Sequence, residues 1–189
     1  VRLREDNLGR ILALDIATET GFCHGAPTDK APVWGTFRNR GGALPNSLIM
    51  HDAWLRELIQ QVKPAIVVHE AAPSIRWGGQ KTNAATLMKL NGLCMKTEEV
   101  CERIGVDCRQ VTAQKWKTAL CGPLGKSRFG KDVKPYPPFE AMALRGWNCT
   151  NHNAADAVGI WLFTVSFRAP EAALRFDPLV MRAHAKKRR

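Results

Sequence analysis

Three carboxylates stand at the ends of apolar segments. Asp15 closes Arg10-Ile11-Leu12-Ala13-Leu14-Asp15, and Glu70 closes Ile66-Val67-Val68-His69-Glu70. Asp156 falls in the first turns of a helix-like run from Asn151 to Phe163. An acid so placed is costly to bury unless something compensates its charge, and the usual compensation is a metal ion or a metal-bound phosphate. Taken singly, each has an ordinary reading: Asp15 caps a turn, Glu70 is a strand-end charge, and Asp156 is a favourable acid near a helix start. Together they point to a carboxylate cluster that binds divalent metal and acts on phosphodiesters. Two ions about 3.5–4 Å apart supply the nucleophile, charge neutralisation and leaving-group help. Asp15 would serve both ions, Glu70 the attacking-side ion and Asp156 the other. His69 alternates with Glu70 and reads as structural. Glu19 reads as a solvated turn residue, and Gly21 and Gly159 as sites of close packing or close phosphate approach.

These acids need elements to position them. The pattern predicts strands over Leu12–Asp15, Thr20–Ala26 and Val33–Arg38, and a helix over Leu44–Val62 that Pro64 stops. A doubly covered strand Ala65–Glu70 follows. Next come a loop from Ala71 to Asn83, a helix Ala84–Ile104 ended by Gly105, and a strand Val106–Val111. Thr112 is a candidate N-cap for a short helix to Leu120. A basic loop from Gly122 to Pro138 precedes helices over Phe139–Arg145 and Asn153–Phe167. That order indicates an α/β domain over residues 1–168, with a loose arm at 1–8 and a basic tail over 169–189 ending Lys186-Lys187-Arg188-Arg189.

The 189 residues suffice for one domain with a full core, and 45% hydrophobic with 24% charged residues marks a globular chain. No apolar run reaches membrane-spanning length and no signal peptide is seen, so a cytoplasmic protein with no membrane partner is expected. The net charge of +11 favours a polyanionic partner, most simply nucleic acid. Six cysteines form no C-x-x-C pair and the histidines lack zinc-ligand spacing, which argues against a zinc ribbon. Cys94 and Cys101 share one helix face and read as small buried hydrophobes.

Between Arg109 and Lys134 seven basic residues, among them Lys117, Lys126, Arg128 and Lys131, face one acid, Asp132. A Gly- and Pro-containing loop with that charge can follow a phosphate backbone. Arg76, Trp77 and Lys81 form a second patch after Glu70, where Trp77 can stack on an unpaired base or close the edge of the core.

The order of these pieces resembles the ribonuclease-H-like fold, and within it the RuvC-type Holliday-junction resolvases. The likeness spans about residues 10–167. It rests on Leu14-Asp15-Ile16-Ala17-Thr18-Glu19-Thr20-Gly21, Val67-Val68-His69-Glu70, Leu90-Asn91-Gly92, the segment Val111–Gly122, and Asn153-Ala154-Ala155-Asp156-Ala157. The resemblance implies a mixed five-stranded sheet flanked by helices. It also implies a homodimeric endonuclease that cuts four-way or otherwise branched DNA with two Mg2+ or Mn2+ ions per site. The family's acids map onto Asp15, Glu70 and Asp156, and Lys117 matches a lysine near the scissile phosphate. A fourth ligand position, an acid or histidine in the family, is Asn153 here, and His152 is the neighbouring candidate. The aromatic that the family places three residues after its second acid is replaced by Pro73, with Trp77 the nearest aromatic.

Other classes compete. The Asp15–Gly21 turn also resembles the first phosphate loop of actin-like ATPases, which need a second domain and a second glycine-rich loop. A non-catalytic junction-binding protein, or a nuclease for other branched DNA, is compatible with the same residues.

Overall fold

The computed structural model of the chain describes residues 9–72, 83–121 and 136–177. Strands β1 (Arg10–Asp15), β2 (Glu19–Gly25) and β3 (Val33–Arg38) form an antiparallel meander. On the other side of β1, β4 (Pro64–Glu70) and β5 (Asp107–Val111) add in parallel, giving the order β3-β2-β1-β4-β5. The two parallel pairings need crossovers, which α1 (Leu44–Val62) and α2 (Ala84–Ile104) provide. The fold is the mixed five-stranded sheet flanked by helices that the sequence led us to expect.

Alternation along the central strands sorts their side chains between two cores. Leu12, Leu14 and Val67 pack with Leu55, Leu58, Leu93 and Val100 of α1 and α2. Ile11, Ala13, Ile66 and Val68 pack with α5 (His152–Arg168) and α3 (Ala113–Cys121), around Trp116, Ile160 and Trp161. Cys94 and Cys101 are buried thiols in the first core, and all six cysteines are free. His69 is fully buried on that side, with Nδ1 3.0 Å from the Glu70 carbonyl, which fits the structural reading.

Helix ends follow local chemistry. Lys63 takes a left-handed conformation (φ 49°) and donates its N–H to the Ile59 carbonyl, so α1 stops one residue before Pro64 opens β4. Gly105 (φ 78°) closes α2 in the same region, where a side chain would be strained. Helix α4 runs Pro137–Ala143, two residues ahead of the expected Phe139–Arg145, because consecutive prolines suit the first helical positions. Helix α5 starts at His152 because Asn151 is its N-cap, accepting from the backbone N–H groups of Asn153 and Ala154.

The boundary expected at residue 168 is not where packing ends. A one-turn helix α6 (Pro170–Ala173) and a 3-10 turn (Leu174–Phe176) fold back. Phe176 is buried against Trp147 and Trp161, with ring centroids 5.7 and 5.2 Å away. The apolar anchor Phe176 lies beyond the last periodic helix, which is why periodicity overlooked it. Among the described residues no helix is long and apolar enough to cross a membrane.

One buried polar contact makes stability depend on pH. His51 of α1 is fully buried, and its Nε2 lies 2.8 Å from Thr97 Oγ1. Thr97 spends its own proton on the Leu93 carbonyl, so His51 donates. Burial pushes the His51 pKa down to about 4, with Asp52 opposing and His69 adding to the shift. The unfolded chain therefore takes up this proton near pH 6.5 while the folded chain does not. Stability from this residue is complete above pH 6.5 and falls as pH drops toward 4. Between pH 7 and pH 5 the loss is expected to be on the order of 2 kcal/mol. Urea unfolding at both pH values checks this, with His51→Leu expected to flatten the dependence.

Candidate active site

The carboxyl ends of β1 and β4 lie side by side, since Leu14 pairs with His69 in parallel register. Asp15 and Glu70 each come one residue later. They continue the alternation of Ile11, Ala13, Ile66 and Val68, so both point toward α5 and α3. Asp156 comes from the second turn of α5, the helix lying across β1 and β2 on that face.

One of the three acids, Asp156, is held by a buried hydroxyl. Tyr136, the chain's single tyrosine, donates its OH to Asp156 Oδ1 at 2.7 Å. Burial raises its pKa most, and the charges of Asp156, Asp15 and Glu70 raise it further. Glu70 is itself pushed above the usual carboxylate range by burial. Opposing that shift are a 2.7 Å hydrogen bond from Trp116 Nε1 to Glu70 Oε2 and the charge of Lys117. The Lys117 ammonium lies 5.0 Å from the centre of the Trp116 ring. Lys117 thus lies over Trp116, close enough to Glu70 for its charge to favour the ionised carboxylate.

Close backbone packing sets the position of α5. A Cβ on Gly21 would meet the Asn153 carbonyl oxygen at 1.9 Å, so only glycine lets β2 approach the start of α5. Gly159 plays the same part lower down, where a Cβ would come to 2.4 Å from the Trp116 ring. Of the two readings of these glycines, close packing is the one observed.

Asn153 donates its side-chain amide N–H to the Glu19 carbonyl. What it has to offer a cation is therefore the amide oxygen. His152 is exposed and packs on the rings of Tyr136 and Phe139, at 4.6 and 4.7 Å between centroids. Glu19 is not merely solvated, because its Oε1 accepts from Asn151 Nδ2 at 2.7 Å. The β1–β2 turn and the cap of α5 are thereby joined. Arg76, Trp77, Lys81, Lys126, Arg128 and Lys131 lie outside the described residues, as do Pro73 and the basic terminus.

Sequence reasoning missed Trp116, Tyr136, Asn151 and the bracing part of Glu19. Asn151 carried a signal, since asparagine is a favoured N-cap. Trp116 and Tyr136 carried none, because a tryptophan on a short helix and a tyrosine before two prolines look like packing residues. The donors gathered here are carboxylate and amide oxygens, which suit a hard divalent cation. Among the described residues no three His, Cys, Asp or Glu side chains are already grouped tightly enough to enclose an ion. Glu70 and Asp156 are instead engaged by aromatic donors.

No known protein-family model matches the sequence, and no curated protein does. Solved structures do resemble it. RuvC of T. thermophilus in complex with a Holliday junction substrate superimposes with a TM-score of 0.66 at 15% identity, covering 87% of this chain and 97% of that one. A second Thermus thermophilus RuvC structure gives 0.59 at 17% identity, with the same coverage. The yeast mitochondrial Holliday junction resolvase Ydc2 gives 0.55 at 10% identity, covering 93% of this chain and 85% of that one. The chain shares their fold over most of its length.

Proposed function

We propose that the chain is a RuvC-type, metal-dependent, structure-selective endodeoxyribonuclease that cuts phosphodiesters in four-way DNA junctions. One observation carries the reading: β1, β4 and α5 each present an acid on the same face of a RuvC-like sheet, and Tyr136 donates its OH to the acid from α5. The match to a RuvC bound to a Holliday junction substrate supports the choice of DNA. So does the net charge of +11.

Asp15, Glu70 and Asp156 would hold two Mg2+ or Mn2+ ions, with the Asn153 amide oxygen as a neutral fourth ligand and His152 as the alternative. Such ions, when bound, activate water and stabilise the charge that develops on the phosphate. The chain's own residues prepare that step. Asp15 holds the centre between the two flanking acids. Lys117 lowers the cost of ionising Glu70 and offers an ammonium to a phosphate oxygen. Asn151 and Glu19 fix the start of α5 against the β1–β2 turn. The basic residues Arg76, Lys81, Lys126, Arg128 and Lys131 would bind the DNA backbone, with Trp77 stacking on an exposed base.

The test is incubation of the full chain with labelled four-way, three-way and linear duplex DNA, with and without Mg2+ or Mn2+. Paired cuts in the four-way substrate that require metal support the reading. Preferential cutting of three-way DNA shifts it to a nuclease for other branches. Tight junction binding without cutting in either metal leaves a junction-binding protein.

A four-way junction presents two equivalent strands, which a two-fold enzyme matches. A homodimer is therefore part of the proposal, and α2 offers a surface for it. Met88 and Met95 are two turns apart and 64% and 70% exposed, and Ile49 on the adjoining α1 is 67% exposed. Leu87 is half-buried beside them. Light scattering at micromolar concentration is expected to give twice the chain mass. The double variant Met88→Glu, Met95→Glu is expected to give the monomer mass.

A further inference from the structure

We propose that Trp116 and Tyr136 are positioning residues of the metal site, each fixing one carboxylate for the cation through a neutral hydrogen bond. This rests on the endonuclease reading and adds two residues to its machinery. The pattern is the same on both sides of the site. A buried aromatic ring supplies one donor, 2.7 Å from one oxygen of an acid: Trp116 Nε1 to Glu70 Oε2 and Tyr136 OH to Asp156 Oδ1.

Each ring is held by packing that leaves it little freedom. Trp116 is fully buried against Gly159, where there is no space for even a Cβ between the ring and α5. Tyr136 is 7% exposed and lies edge-on to Phe139 and His152. A carboxylate offers about four lone-pair sites, so one donor sets its plane and leaves other sites for a cation. A neutral donor also preserves the negative charge that attracts the metal, whereas a lysine or arginine in the same place would cancel it. Groups that orient metal ligands in this way characteristically contribute about 10–100-fold in metal affinity or activity.

The experiment uses the full chain and its Tyr136→Phe and Trp116→Phe variants. Tyr136→Phe keeps the ring and loses only the hydroxyl, so it guards against misfolding of the more deeply buried Trp116 variant. Near-UV circular dichroism and Tm establish that each variant is folded. Calorimetric titration with Mn2+ alone then reads affinity without reference to activity. Single-turnover cutting of a four-way junction at saturating Mn2+ separates binding from chemistry. Each folded variant is expected to bind Mn2+ about 10–100-fold more weakly. Each is also expected to cut more slowly at saturation, with junction affinity in Ca2+ unchanged. Folded variants that match the parent's Mn2+ affinity overturn the inference and leave the endonuclease reading intact. Tighter Mn2+ binding also overturns it, because the aromatic bonds would then be competitors of the metal. A parent chain that binds no Mn2+ and cuts no branched DNA brings down both readings together.

Discussion

Asp15→Asn is expected to abolish metal-dependent junction cutting, by a factor of about a thousand or more, without unfolding the protein. The side chain keeps its shape, but one anionic oxygen becomes a neutral NH2 that cannot ligate a cation. Asp15 lies on the central strand of the sheet, between Glu70 on β4 and the helix that carries Asp156. A thousandfold loss corresponds to about 4 kcal/mol of transition-state stabilisation. A Tm measurement establishes that the variant is folded when its cutting is assayed. Junction binding in Ca2+ is expected to persist, because phosphate contacts come from basic residues elsewhere. Residual metal-dependent cutting within tenfold of the parent would remove Asp15 from the site.

Gly21→Ala is expected to cost about 3 kcal/mol or more of stability, an upper-range value for overpacking. The added methyl would lie 1.9 Å from the Asn153 carbonyl oxygen and 2.8 Å from the Ala154 nitrogen. Both are backbone atoms at the start of α5, so no side-chain rotation relieves the clash. Either β2 or the start of α5 must move. That displacement carries Asn153 away from the Glu19 carbonyl and shifts Asp156 relative to Asp15 and Glu70. Urea unfolding measures the stability loss, and Mn2+ titration of the folded fraction should show weakened binding. A variant as stable as the parent would mean that β2 and α5 are not packed as described. Placing the same methyl at Gly105 tests a different effect. Nothing lies within 4 Å there, and only the positive φ is strained.

Much of this protein was legible in its sequence, for local physical reasons. Short apolar runs of strand length that end in turn signals read as buried strands, so β1 and β4 were legible, and with them the acids at their ends. Helices α1 and α2 showed the 3.6-residue period and clear stops at Pro64 and Gly105, and their bounds agree with the structure. What failed locally was what lacked a period. Helix α4 began earlier because two prolines look like a loop but fit a helix start, and Phe176 looked like tail because its partners, Trp147 and Trp161, are far away in sequence. The tertiary structure alone decided which side chains meet. The Trp116–Glu70 bond spans 46 residues, Asn153 to Glu19 spans 134, and Gly21 is required by a backbone in α5. A sequence shows residue types and local spacing, and these set propensity and which face of an element is apolar. Hydrogen bonds between distant segments depend on how the elements are packed, and that packing fixed the partners of Glu70, Asp156 and Asn153.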